Sequence, residues 1–381
     1  MKRINNLYNK ICDIDVIMKM YDEAIRKNTR NKRKIQRFDN FYSCNIVKIK
    51  EILMKKDYKP GKYNIFLIKE PKLRIIMSQD IEDKIINHLV AKYFLIDVFD
   101  KKLSDRNCAT RKGKGTHYAL KMFKQDYNYF SNKYKQFYIL KLDISKYFYN
   151  LNHDIIKELI RKKIKDKEVL KITDAIIDST NEDYINKEIA KLKENEKVKI
   201  SASNLKDKDA RIAEVDGLPL YKKGSGVCIG NMVSQIVATF YLDEMDKFIQ
   251  EKLKFKAYGR YMDDFYCMHQ SKLYLKECLI QIEKLLNRYK LKLNNKTKIY
   301  SCNENIQFLG FVFSYKNSDI RMKLTNKTKK KFKKKMQTNN KKLENNNMTF
   351  SEYRQVRDSY RGHLSYGNCN RLYRKYVYMW K

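Results

Sequence analysis

The stretch KAYGRYMDDFYCMH, residues 256–269, sets two aspartates side by side inside an apolar and aromatic run. Asp263 and Asp264 follow Tyr261 and Met262 and precede Phe265 and Tyr266. Burying an unpaired carboxylate is costly, so core packing does not account for the pair. Two readings remain. A tight turn between two strands leaves both side chains in water at no such cost, whereas a site for divalent cations uses them. A second carboxylate favours the cation site: Asp143, in YILKLDISKYF (138–148), also stands directly after a hydrophobic β-type run.

The charge balance of the whole chain points the same way. Its 381 residues hold 83 Lys and Arg against 44 Asp and Glu, a formal net charge of +39. Clustered cations gain affinity for a polyanion by releasing the counterions condensed on its phosphates. An AT-rich coding bias also raises lysine, but it enriches glutamate as well and would not leave so large an excess. With 43% hydrophobic and 13% aromatic residues, the chain has the material for a folded core. Its eight cysteines include no CxxC pair, so they read as reduced thiols rather than zinc ligands or a disulfide framework. The opening MKRINNLYNKICDIDVIMKMYDEAIRK carries charge throughout and does not read as a signal peptide. No stretch approaches the roughly 18 uninterrupted apolar residues of a membrane span. The expectation is a cytoplasmic protein with no membrane partner.

Hydrophobic periodicity predicts mainly helix over residues 11–57. YNIFLIKEPKLRIIMSQD (63–80) reads as a hairpin joined at KEPK, followed by a helix that Asp80 is placed to cap. ATRKGKGTHYALKMF (109–123) is a basic, glycine-bearing loop entering a helix, and QFYILKLDISKYFYNL is a buried-type strand ending in a turn. Residues 181–216 are polar and charged and read as a surface insertion. GVCIGNMVSQIVATFYLDEMDKFI (226–249) gives a glycine turn and a long helix, and strands return in KLNNKTKIYSCNENIQFLGFVFS (292–314). From about residue 325 the chain is intensely basic helix with a smaller aromatic helical end. Helices and strands in this order argue for an α+β fold.

Two strand ends that bring Asp143 and Asp263/Asp264 together in a sheet have the donor set for two Mg²⁺ ions. Magnesium takes few carboxylates, keeps water and draws its other ligands from phosphate. A pair of such ions about 4 Å apart activates an attacking hydroxyl and stabilises a leaving pyrophosphate. Phosphoryl transfer needs positioning and charge neutralisation more than a protein nucleophile. No Ser-His-Asp, Cys-His or HExxH arrangement accompanies the aspartates, and the five histidines are scattered.

In order, these segments resemble the reverse transcriptases. YMDD (261–264) between aromatic strands, with LDISKYF (142–148) upstream, resembles their palm. IGNMVSQ (229–235) is similar to the turn and helix that contact template and nucleotide, KLNNKTK (292–298) to the lysine-bearing motif, and FLGFVFS (308–314) to the primer grip. KEPKLRIIM resembles the fingers hairpin, ATRKGKGTHYAL the basic segment of bacterial retroelement enzymes, and SYRGHLSYGNCNRLYRKY (359–376) part of a thumb. The resemblance implies a right-hand polymerase with fingers, an antiparallel-sheet palm and a helical thumb. It divides the chain into an N-terminal helical extension (1–57), fingers and palm (58–316) and a basic thumb (317–381).

It also implies roles. Asp143 and Asp263 would bridge two Mg²⁺ ions, for which Mn²⁺ can substitute, with the Ile144 carbonyl as a further ligand. Asp264 either joins them, orients the primer end or tunes the field of the site. Lys72 and Arg74 would hold the triphosphate, with Lys69 as a competing candidate. Phe148 would bar a ribose 2'-hydroxyl. Gly230 would allow close backbone approach to the nascent pair, Gln235 would touch template or nucleotide, and Lys298 would approach the triphosphate as proton donor. Leu309 and Gly310 would form the primer-grip turn. The partners implied are an RNA template, a DNA or RNA primer, deoxynucleoside triphosphates, a cognate non-coding RNA and an accessory protein.

The chain departs from the intron-encoded pattern QGxxxSP at Ile229 and Gln235. There it is similar instead to diversity-generating and defence-associated bacterial enzymes. No HNH-like or RNase H-like segment is evident, which disfavours a self-sufficient mobile intron protein. Competing functions are a catalytically silent RNA-binding scaffold, an RNA-dependent RNA polymerase, and a polymerase that is template-independent or protein-primed. Three clustered carboxylates speak against the scaffold, and Phe148 with Met262 speaks against ribonucleotide use.

Overall fold

The computed structural model describes residues 4–29, 32–69, 72–204, 207–316 and 319–377. The chain forms two compact units that interleave along the sequence. The first comprises Met1–Asp105, Ile144–Lys247 and Glu283–Lys292; the second comprises Arg106–Asp143, Phe248–Ile282 and Leu293–Lys381.

In the first unit, the helical N-terminal region is as its periodicity predicts. Asp13 caps the helix Ile14–Met20 by accepting from the amides of Asp15 and Val16, and the helix runs on as a wide π-type turn over Tyr21–Arg26. The helix Tyr42–Lys55 buries Ile46, Ile49 and Leu53, one stripe at helical spacing. The hairpin consists of β1 (Asn64–Ile68) and β2 (Arg74–Ser78), antiparallel with Asn64 opposite Ser78. Glu70 and Pro71, inside the KEPK turn, lie outside the described residues. Asp80 does stand at the N-cap of the helix Ile81–Val90, but its carboxylate makes no cap bond. It accepts from the Lys34 ammonium at 2.7 Å instead.

The polar segment 181–216 forms two helices, Asp183–Ser201 and Lys208–Asp216. The first turns Ile185 and Ile189, four residues apart, into a core shared with Ile65, Ile75 and Met77 of the hairpin. Most of its charged residues form the outer face around an apolar stripe, while Glu196 is buried. The same unit holds the short helix Tyr147–Asn150 and the helix Met232–Phe240, whose N-cap Asn231 accepts from the Val233 amide.

The second unit is built on a four-stranded sheet in the order β4-β5-β3-β6, with β3 (Tyr138–Asp143), β4 (Tyr258–Tyr261), β5 (Asp264–His269) and β6 (Lys298–Ser301). All neighbours are antiparallel. A three-stranded sheet follows: β7 (Ile306–Phe308), β8 (Phe311–Lys316) and β9 (Asp319–Leu324). Phe123, from the helix Thr116–Lys133, packs on Tyr266, Phe308 and Phe313 with ring centroids 4.5–5.2 Å apart. That aromatic cluster joins the two sheets into one core.

The basic region is a helix, Asn326–Glu344, capped by Thr325. It buries Phe332 and Met336 on one side, where Phe332 meets the ring of Tyr360 at 5.0 Å, and leaves most of its lysines exposed. Phe350–Leu364 opens with a capping box between Thr349 and Glu352. The α+β expectation holds. Among the described residues no helix is long and apolar enough to cross a membrane.

Candidate active site

The register of the larger sheet brings the carboxylates together. Tyr261 pairs with Asp264 across the β4–β5 hairpin, so its loop is two residues, Met262 and Asp263. Asp143, the last residue of β3, lies directly opposite Asp264. Side chains so placed stand about 5 Å apart, and like charges at that distance repel. The arrangement therefore works against stability unless a cation or a proton answers it.

Asp264 shows that tension most clearly. Its Oδ1 is shut off from solvent and has no hydrogen-bond partner. The Lys141 ammonium, two residues before Asp143, lies 3.4 Å from that oxygen. Burial, with the charges of Asp143 and Asp263 adding to it, pushes the Asp264 carboxyl up to about 7 although Lys141 pulls the other way. Asp143 is tied down through its backbone: its carbonyl accepts from the Asn294 amide at 2.9 Å, and its amide donates to Thr297 Oγ1 at 3.5 Å.

The turn is held in a costly shape. Met262 has φ 56°, a left-handed conformation that a bulky residue rarely adopts. The Met262 carbonyl accepts from the Arg260 guanidinium at 3.1 Å, and Arg260 is wholly buried in β4. The backbone of Arg260 is fastened in turn to the preceding loop: its amide donates to the Arg106 carbonyl and its carbonyl accepts from the Cys108 amide, both at 2.9 Å. Beneath, Asp126 accepts from Arg106 at 2.7 and 3.0 Å and from the Tyr266 hydroxyl at 2.7 Å. Burial raises the Asp126 carboxyl, and Arg106 and Tyr266 act against that rise. Sequence reasoning did not single out Lys141, Arg260 or this trio. A charged residue inside each of two apolar strands was the available signal.

The donor set suits a small hard cation. One buried carboxylate oxygen is answered only by the Lys141 ammonium at 3.4 Å, without a well-formed hydrogen bond, and two further carboxylates are near. Among the described residues no group of three or more His, Cys, Asp or Glu forms a cage for a metal ion by itself. Mg²⁺ does not require one, since it completes its shell with phosphate and water.

The other expected residues fall as follows. Lys298 opens β6, is exposed, and donates to Glu304 Oε2 at 2.9 Å. Leu309 and Gly310 form the two-residue turn between Phe308 and Phe311, with φ 45° and 85°. In the first unit, Lys72 and Arg74 are exposed on the hairpin, while Lys69 is paired with Glu196. The ring of Phe148 is half-buried and meets Tyr147 edge-on at 5.9 Å. Ile144 is buried. Gln235 sits half-buried in the first turn of its helix. Gly230 has φ 129°, and a Cβ there would meet the Met77 carbonyl oxygen at 2.7 Å. Its need for glycine is thus already explained by close packing on β2, where the Met77 amide also donates to the Ile229 carbonyl at 3.0 Å.

A family model described as "Reverse transcriptase (RNA-dependent DNA polymerase)" matches residues 55–313. No curated protein matches the chain. Among solved structures, apo telomerase from Candida tropicalis, truncated from its C-terminal domain, is similar at 16% identity and a TM-score of 0.44. The match covers 68% of this chain and 55% of that one, so this chain spans about half the length of the telomerase.

Proposed function

The chain belongs to the reverse transcriptase (RNA-dependent DNA polymerase) family, and from that premise we propose that it copies an RNA template into DNA by metal-dependent nucleotidyl transfer. One observation carries the reading. Asp143 stands opposite Asp264 beside the Met262–Asp263 turn, and a buried Asp264 oxygen there has no hydrogen-bond partner.

In this reading Asp143, Asp263 and the Ile144 carbonyl hold two Mg²⁺ ions, or Mn²⁺ in their place. Asp264 completes the set or shapes its field. When bound, the ions activate the primer 3'-hydroxyl and neutralise charge on the triphosphate and the departing pyrophosphate. Lys141 keeps part of the carboxylate charge balanced before they bind. Arg260 holds the turn so that both aspartates keep their direction. Lys72 and Arg74 grip the triphosphate, Gln235 and the backbone at Gly230 meet template or nucleotide, and Lys298 leaves Glu304 to serve as proton donor. The Phe148 ring excludes a 2'-hydroxyl and so selects deoxynucleotides. Leu309 and Gly310 hold the primer, and the exposed lysines of the helix Asn326–Glu344 follow the duplex backbone.

The substrates are then an RNA template, a DNA or RNA primer and deoxynucleoside triphosphates. The setting we propose is a bacterial retroelement or anti-phage system with a cognate non-coding RNA and an accessory protein, a reading supported by Ile229 and Gln235. The test is deoxynucleotide incorporation on a primed RNA template with Mg²⁺, wild type beside Asp263→Ala. Incorporation lost in the variant supports the reading. Equal incorporation by both proteins, or none by wild type supplied with RNA from its native host, contradicts it.

A further inference from the structure

A cavity of about 290 Å³ lies within the first unit, lined among others by Ile25, Met77, Gln79, Asn87, His88 and Asn231. Three of these are buried amides joined in a chain. Asn87 Nδ2 donates to Gln79 Oε1 at 2.8 Å and to the Asp83 carbonyl at 2.9 Å. Asn231 Nδ2 reaches the same Gln79 oxygen at 3.5 Å, while Asn231 Oδ1 accepts from the Val233 amide. These bonds fix which way each amide faces. Two groups are left over: Gln79 Nε2, a donor, and Asn87 Oδ1, an acceptor, have no partner although their residues are only 5% and 2% exposed. Buried polar atoms in native proteins are almost always satisfied, so this pair marks a place where something binds.

The wall chemistry restricts what that is. Phosphate oxygens only accept, so phosphate would leave Asn87 Oδ1 unanswered. An all-apolar ligand would leave both amides unanswered. What fits is an uncharged group that presents an acceptor beside a donor, with Ile25, Met77 and Met232 offering apolar wall. Every nucleobase has such a neighbouring pair on its Watson–Crick edge. The cavity is also distinct from the triphosphate grip proposed above. Along β2, Ile75 and Met77 are buried on one face, while Arg74 is exposed on the other.

We propose that this cavity receives a single nucleobase, held by Gln79 Nε2 and Asn87 Oδ1. The choice of a base over other amide-edged ligands rests on the nucleic-acid function proposed above; the orphaned pair does not. The base comes from a free nucleoside or from a single strand, and binding tells these apart. Each of the four ribonucleosides and a mixed-sequence RNA octamer would be titrated in EDTA against wild type, Asp263→Ala, Gln79→Met and Gln79→Glu. Both Gln79 variants approximate the side chain's length while removing the donor, and thermal melting would confirm that at least one folds. Wild type and Asp263→Ala should bind alike, because no metal is needed. The folded Gln79 variant should bind at least tenfold more weakly. Weakening of nucleoside and octamer together indicates a free-base site, and weakening of the octamer alone indicates a base turned out of a strand. Equal octamer and nucleoside affinity in wild type and variant would overturn the proposal and leave water as the occupant. Loss of polymerase activity in Asp263→Ala has no bearing on that outcome, so the two readings fail separately.

Discussion

Two hairpins in the second unit end in two-residue turns of different make. Between Phe308 and Phe311 the turn is Leu309-Gly310, with φ positive at both residues, as hairpins that follow the natural strand twist prefer. A Cβ on Gly310 would meet nothing within 4 Å, so glycine is there for its backbone freedom alone. Between Tyr261 and Asp264 the turn is Met262-Asp263, and Met262 takes the positive φ without glycine's help. A left-handed conformation at such a residue costs about 1–2 kcal/mol. A buried guanidinium on the Met262 carbonyl helps to hold the turn in place. Leu309 takes a left-handed φ of 45°, as Met262 does at 56°, so both turns store backbone strain. What sets the second apart is the carboxylates that meet beside it, a repulsion that folding alone would not select.

The sharpest break of this comparison is chemical. Asp263→Ala should lower deoxynucleotide incorporation by roughly 10³-fold or more, the scale on which a preorganised electrostatic group acts, while Gly310→Ala, which alters the proposed primer turn and no carboxylate, should lose far less. Primer-extension rates on one RNA template measure both. A second test concerns the Asp264 proton. Its folded pKa of about 7 lies above the ordinary carboxylate value, so the folded state binds the extra proton. The resulting destabilisation is absent below pH ~4 and complete above pH ~7. In EDTA the wild type should therefore lose stability across that window by a few kcal/mol relative to Asp264→Asn. Parallel pH profiles in urea melts would show that Asp264 is not buried under charge repulsion.

Much of this site was legible because carboxylates interrupting apolar strands are chemically conspicuous. Asp143, Asp263 and Asp264 needed only the sheet register to meet, and the antiparallel sheet provides it. What stayed hidden depended on contacts between distant segments. Gly230 read as an approach to substrate, whereas its immediate neighbour is the Met77 carbonyl. Among so many lysines, nothing in the sequence marked Lys69 as already paired with Glu196, or Lys298 with Glu304. The charge of 181–216 outweighed the i, i+4 spacing of Ile185 and Ile189 that makes it part of a core. Gln79, Asn87 and Asn231 are unremarkable singly; only the fold makes them a cluster.

Smaller effects refine the contrast. Phe148→Ala should narrow the preference for deoxynucleotides over ribonucleotides by about 10-fold or more, read as the ratio of kcat/KM values. An unchanged ratio would return Phe148 to simple packing. Smallest are the turns themselves. Gly310→Ala should destabilise by about 1 kcal/mol because alanine resists its φ. Met262→Gly should relieve strain by about 1 kcal/mol yet slow incorporation by loosening Asp263. Chemical denaturation paired with extension rates distinguishes the two.

The central claim is that the strained turn and the facing strand end hold divalent ions. It is tested most directly by calorimetric titration of Mn²⁺ into wild type, Asp143→Asn, Asp263→Asn and Gly310→Ala. The account predicts Mn²⁺ binding by wild type and Gly310→Ala alike, weakened at least about tenfold in each aspartate variant, the loss expected when a ligand or its support is removed. Equal Mn²⁺ affinity in all four proteins would contradict it.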